Sequence, residues 1–423
     1  VNTAPSSRTR AHRKHRRHTA AAAGLPGASA AAEEQLRQSG IDPDRLGILH
    51  LGHPVSLLKY QFPPWARRLT IGFALWIAQF TLGTLGIALP DWTSAPLALL
   101  TGLIILQGAC EVLVMTSERL AARLEWDHYV AGTVAEILST LPELVVIGFI
   151  VPISPLTAFV IALITIYNNA FVFSLYSFFL PKDQHGKFLM PEPITEAGTQ
   201  VLIAGAALGL TLGLVMLTLS AGQHPKSGFE PHDLAIIGVV LLMIFAVYLY
   251  KLVNNYAKEE QTVRETLQLT EDEIEQRREL VYQNVGRSSL PVIAGLFLVG
   301  VAGSLGGGDL VAGFAHVAIK NLGLNPILTA LILAVFAGMS EYVILWKSHR
   351  KGEYGIALAN AFGGITQVMF MVLPFTLISI AVYQGLVNPD HAQLPIEFTL
   401  SNIFLLIFLF PTFFVLVELI EED

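Results

Sequence analysis

Cysteine occurs once in 423 residues, at Cys110, and charged side chains make up only 14% of the chain. The lone cysteine excludes an intramolecular disulfide and makes a thiolate metal site untenable, so a metal held here would meet oxygen ligands. The shortage of charge excludes an ordinary soluble domain, in which roughly 25% of residues are charged. No Gly-rich loop followed by Lys-Ser/Thr occurs, which argues against an ATP-driven pump. A His-Glu-x-x-His pair and paired intramembrane aspartates are also missing, which sets an intramembrane protease aside.

The charge that is present gathers at the N-terminus, around 254–287 and in short connections, while long apolar runs fill the rest. A spanning helix needs about 20 mainly apolar residues. Ten such segments stand out, near 65–89, 95–122, 128–151, 154–180, 194–220, 232–253, 288–320, 325–346, 355–384 and 396–420. The fold class expected is an all-α polytopic membrane protein of about ten transmembrane helices. Residues 1–60 are read as a basic cytoplasmic tail, 61–253 as a first transmembrane half, 254–287 as an acidic helix or linker, and 288–423 as a second half. In the tail, Arg8, Arg10, Arg13, Lys14, Arg16 and Arg17 precede an Ala/Gly/Ser-rich stretch too broken to be a secretory signal; an organelle transit peptide is the alternative.

With the tail inside, the cytoplasmic connections hold Arg119, Arg123, Lys182, Lys187, Lys251, Lys258, Arg264, Arg277, Arg278, Arg287, Lys347, Arg350 and Lys351. The opposite face holds only Lys226 and Lys320. This satisfies the positive-inside rule loop by loop and places the protein, multi-pass, in a plasma (inner) membrane with a cytoplasmic N-terminus. Segment 254–287 carries Glu259, Glu260, Glu265, Glu271, Asp272, Glu273 and Glu275. It reads either as a solvated linker helix or as an acidic helix that collects or senses cations.

Ionisable residues within spans are costly and point to function. Glu143 follows Pro142 in the third segment, and Glu341 lies at a comparable depth in the eighth. The two are 198 residues apart, an offset that also pairs Glu111 with Asp309. One acid-bearing helix would run inside to outside and the other outside to inside, the plan of an inverted-topology repeat with its ion site at the midplane. Two glutamates neutralise one divalent cation, and a hard cation such as Ca²⁺ takes six to eight oxygens. Cut off from water and empty, such acids hold protons instead, so competition between protons and metal is a simple basis for exchange. Further oxygens are offered by Ser139, Thr140, Ser340 and carbonyls loosened by Pro142. The following helices add Asn168, Asn169 and Ser174, and Asn360, Thr366 and Gln367; hydrogen bonding between helices is the alternative role for each. Glu136, two turns before Glu143 and about 10 Å away on one face, reads either as a proton or cation relay or as an acid facing a wet cavity, and Glu111 and Asp309 carry the same two readings. His316 reads as a packing residue.

The stretch GIALANAFGGITQVMFMVLP, 355–374, resembles the second signature of the cation/proton exchangers in the calcium/cation antiporter superfamily. Gly363, Gly364, Ile365, Thr366 and Gln367 stand at its Gly-Ser-Ala-Thr-Gln element, with Pro374 beyond. FAGMSEYV is similar to the element around the second acid, and TSERLA, LSTLPELVV and IYNNAFVFSL follow the outline of the first repeat. The resemblance spans about 95–385 and implies ion binding by Glu143 and Glu341, a supporting ligand in Gln367, and an acid at the cytoplasmic mouth in Glu118. It also implies an extra first helix and an acidic cytoplasmic helix at 254–287. The departures are Pro142 before the first acid, as in sodium/calcium exchangers, Asn168 and Asn169 where Gly and Ser are usual, and Tyr342 where His is usual. In addition, four spans follow 288 where that branch has five.

The expected function is secondary antiport of Ca²⁺ against H⁺ by alternating access at the two glutamates. The alternatives are Na⁺/Ca²⁺ or Na⁺/H⁺ exchange on the same fold and, in another class, a non-transporting ion-binding membrane sensor with 254–287 as its output. No enzymatic activity, resident cofactor or nucleic-acid partner is expected; the partners are inorganic cations and the bilayer.

Overall fold

The computed structural model describes residues 63–87, 89–124, 128–180, 192–222, 228–267, 288–338, 341–342, 345–346, 349–350, 354–389 and 396–421. The basic tail, most of the acidic segment and Ser340 lie outside them. A chain with no water around its backbone must satisfy its amides internally, which a helix does within one segment. The described residues accordingly form ten helical segments in chain order, matching the ten apolar runs. They are α1 (Pro64–Thr84), α2 (Asp91–Leu124), α3 (His128–Ile150), α4 (Pro155–Ser177), α5 (Glu192–Ala221) and α6 (Pro231–Leu267). Then come α7 (Leu290–His316, continued by a wide turn Val317–Asn321) and α8 (Pro326–Ala337, with helical residues at 341–342, 345–346 and 349–350). α9 runs from Tyr354 to Gln367 and on through Leu373–Val382, and α10 comprises Leu400–Ile407 and Leu409–Glu421.

Seven of these hold stretches long and apolar enough to cross a bilayer, and α3 and α8 contribute shorter apolar stretches, Ile137–Ile150 and Pro326–Ala337. The chain is thus an all-α, multi-pass membrane protein. α6 continues to Leu267, so the start of the acidic segment is helix.

Local sequence sets several helix starts. Ser154 and Asn325 cap α4 and α8 by accepting from Thr157 N and Ile327 N, at 3.2 and 2.8 Å, and each is followed by Pro at the first helical position. Proline is tolerated there because its missing N–H would have had no partner. Inside α3, Pro142 does not break the helix, which runs on to Ile150. In α9 the turn Val368–Val372 is widened ahead of Pro374, which has no N–H to offer the carbonyl four residues back.

The scaffold is organised around α2 and α7, which pack antiparallel. A Cβ on Gly300 would meet Leu113, one on Gly303 would meet Ala109, and one on Gly307 would lie 2.8 Å from Leu106 and 2.9 Å from the carbonyl of Gly102. As the α7 number rises the α2 number falls, the crossing expected of equivalent helices in inverted repeats. Without a strong hydrophobic drive inside lipid, such contacts depend on small residues that let backbones approach. Polar clasps hold both ends. Arg119 and Arg123 donate to the Ser288 hydroxyl and carbonyl, at 3.2 and 3.4 Å, and Asn321 donates to Asp91 at 3.1 Å. α3 lies against α7, where Gly308 faces Val145 and Phe149. α4 lies between α8 and α9 and is buried along most of its length. A two-residue antiparallel pairing, Gly228–Phe229 with Ile396–Glu397, joins the α5–α6 and α9–α10 connections.

The α2–α7 contact generates a prediction. Gly307→Val should cost about 1–3 kcal/mol of stability by overpacking, lowering the melting temperature of the purified protein. Gly313→Val, at a position whose Cβ would meet nothing within 4 Å, should leave it nearly unchanged.

Candidate functional site

Glu143 lies mid-helix in α3 and Glu341 on the continuation of α8. Glu341 lies beside Gly364 of α9 and Asn169 of α4, and Glu143 lines a cavity with Phe336 and Ala337 of α8. Glu143 is half-buried, and its Oε2 is buried with no hydrogen-bond partner. Asn169 on α4 is buried with 3% of its surface exposed, and neither its Oδ1 nor its Nδ2 has a partner. Buried polar atoms are almost always paired, so these orphan atoms, two of them on Asn169, are candidates to meet a ligand.

Glycines make the room. A Cβ on Gly364 of α9 would fall 2.6 Å from Glu341 Oε2 and 3.0 Å from Asn169 Nδ2. A Cβ on Gly338 would fall 2.5 Å from the Tyr342 hydroxyl and 3.1 Å from Asn169 Oδ1. The second carboxylate and the Asn169 amide therefore share the space that two missing side chains leave. Asn360 on α9 donates to the backbone carbonyl of Glu341 at 3.3 Å, tying the helix that carries the acid to its neighbour.

A cavity of about 70 Å³ opens on Glu143. By the measure in which one water needs roughly 10–15 Å³, it holds several waters or a partly hydrated ion. Its wall includes Gln107, Cys110, Ser139, Pro142 and Thr165, with apolar residues elsewhere. Leu103, Ile161 and Leu333 precede the site on α2, α4 and α8, while Ile147, Val311 and Val372 lie in the later part of α3, α7 and α9.

The other expected site residues fall into three groups. Ser139 lines the cavity, and its carbonyl accepts from Cys110 Sγ at 3.5 Å. Thr140 is buried and donates to the Ile137 carbonyl at 3.1 Å, Thr366 does the same to Gly363 at 3.0 Å, and Gln367 is buried one turn beyond Gly364. Asn168 faces α8, not the acids: its amide donates to the Ala334 carbonyl at 3.4 Å and to the Tyr342 hydroxyl.

Of the proposed relays, Glu111 is ion-paired with Arg68 of α1, which makes it part of the α1–α2 contact. Asp309, its counterpart at the 198-residue offset, is exposed on α7 and does not line the cavity. Glu118 is half-buried on the far part of α2, with Arg119 as the charge beside it. The Glu136 side chain lies outside the described residues. His316 is exposed, not packed as expected, because it falls on the face of α7 turned away from α2 and α3.

Three contributors were missed by the sequence reading: Gly338, Gly364 as a space-maker, and Tyr342, noted only as a departure from a family pattern. The signal for Gly364 was its place in the Gly-Gly step before Thr366 and Gln367. Among the described residues no group of three or more His, Cys, Asp or Glu could hold a metal. A cation bound here would draw on two carboxylates and complete its shell with amide, hydroxyl, carbonyl and water oxygens, a donor set suited to a hard ion.

Residues 292–421 match a family model described as sodium/calcium exchanger protein. No curated protein matches the chain. Among solved structures, one described as the crystal structure of the H⁺/Ca²⁺ exchanger CAX aligns with a TM-score of 0.54 at 12% identity, over 84% of this chain and 83% of that one. The fold is that of this exchanger structure. The family-model match supports the resemblance to the calcium/cation antiporter superfamily.

The crowded glycine gives a separable test. Gly364→Ala should fold normally, because the atom in its way is the mobile end of Glu341. It should nevertheless raise the half-saturating cation concentration roughly tenfold or more, an affinity loss of about 1.4 kcal/mol. Melting curves and cation-dependent uptake, measured on one preparation, check both halves.

Proposed function

We propose that this chain is a secondary antiporter that moves a cation, Ca²⁺ in the first reading, against protons through a site formed by Glu143, Glu341 and Asn169. The observation that carries this is the set of unpartnered atoms: a buried oxygen of the cavity-lining Glu143, and an Asn169 amide with neither end hydrogen-bonded that shares the space at Gly364 with the Glu341 carboxylate. The matched family model and the fold support it. An exposed pair of acids would need no explanation, but a buried pair must be neutralised by a cation or by protons.

The residues then have distinct roles. Glu143, at the cavity, meets the incoming cation first as it sheds water. Glu341 supplies the second charge, and Asn169 Oδ1 a neutral oxygen. When the cation leaves, protons neutralise the same acids, so the protein never carries an empty, doubly charged site across the barrier.

A second reading replaces the proton with Na⁺. It is favoured by the Pro142–Glu143 step and by the description of the matched family model.

Uptake of radioactive Ca²⁺ into proteoliposomes under an imposed pH gradient tests the proposal. Wild type should take up Ca²⁺ and collapse the gradient, while Glu143→Gln and Glu341→Gln should each fall to background. Uptake driven only by a Na⁺ gradient selects the second reading; wild-type activity in either variant overturns the site.

A further inference from the structure

Tyr342 follows Glu341 directly, and its hydroxyl accepts a hydrogen bond from Asn168 of α4. The same Asn168 amide reaches the Ala334 carbonyl, eight residues and about two turns earlier on α8, at 3.4 Å. One side chain of α4 is thus gripped at two levels of α8. The next residue on α4 is Asn169, whose amide stands free beside Glu341 and Gly364. Consecutive residues on a helix point about 100° apart, so fixing the direction of residue 168 fixes that of residue 169. The phenol itself occupies the space left by Gly338, which Asn169 Oδ1 shares from the other side. Two turns along, Tyr176 and His349 make a second α4–α8 contact, edge to face with ring centres 5.6 Å apart. That contact keeps the helices together whether or not the Tyr342 hydroxyl is present.

Resting on the antiport reading, we propose that Tyr342 is a positioning residue for cation binding, its hydroxyl holding Asn168 so that the Asn169 amide oxygen faces the ion beside Glu341. It touches neither the cation nor the proton in this role. It sets the rotation of α4 against the acid-bearing helix, which decides whether the site offers three protein donors or two. Gly338 belongs to the same device, because any side chain there displaces the phenol.

The test is Tyr342→Phe, which keeps the ring and removes only the hydroxyl. Losing one ordering hydrogen bond should raise the half-saturating Ca²⁺ concentration roughly three- to tenfold. The maximal uptake rate should stay within about twofold of wild type, and the melting temperature in the absence of ions should not move. Gly338→Ala should shift half-saturation in the same direction, and the double variant should be no worse than the worse single one, because both act through one hydroxyl. Stabilisation of the purified protein by added Ca²⁺ gives the same comparison without flux. An unchanged half-saturation in Tyr342→Phe overturns the proposal. So does a loss confined to the maximal rate, which would put the hydroxyl in a conformational or proton step, and so does a lowered ion-free melting temperature that alone accounts for the effect. Glu143→Gln and Glu341→Gln run alongside: activity retained there brings down the antiport site itself, a result distinct from any outcome at Tyr342.

Discussion

Two carboxylates held within membrane spans are costly to keep charged and empty, and the proposed antiport rests on that constraint. In water a pair of glutamates would repel weakly. In apolar surroundings, far from compensating dipoles, their charge must be cancelled by a cation or by protons. A site built this way binds one or the other, and a helix bundle able to expose it to either side converts that exclusivity into exchange. Among the described residues, the orphaned Glu143 oxygen and the unpartnered Asn169 amide are the atoms left to receive a ligand.

The scaffold serves the constraint by subtraction. Where a soluble protein would bring polar groups together with loops, this one removes side chains. Gly102 and Gly307 let α2 and α7 touch along their backbones, and Gly338 and Gly364 open the space in which Glu341 and Asn169 stand. Glu111 is ion-paired with Arg68 of α1, whereas Glu143 has a buried oxygen with no hydrogen-bond partner.

Much of this was legible in the sequence because lipid imposes a simple rule. Every span must be long, apolar and helical, so ten runs gave ten helices, and the two acids within them were conspicuous by cost alone. The faces were not legible. In α4 and α9 apolar residues occur on all sides, so periodicity does not say which side chain meets which neighbour. That is why Asn168 and Asn169 could not be told apart, although one grips α8 and the other faces Glu341. The offset that pairs Glu111 with Asp309 suggested equivalent roles, but α1 covers one of them with an arginine while the other is exposed. Repeats constrain the backbone, and the extra helix breaks the equivalence of side chains.

The central claim is that cation and protons compete for the same two acids. Calorimetric titration of the purified protein with Ca²⁺, in buffers of different ionisation enthalpy, counts the protons released on binding. The account predicts release that approaches two protons per Ca²⁺ bound at pH values where the empty site is protonated, and none from a protein lacking both carboxylates. Tight Ca²⁺ binding with no proton release at any such pH would contradict it.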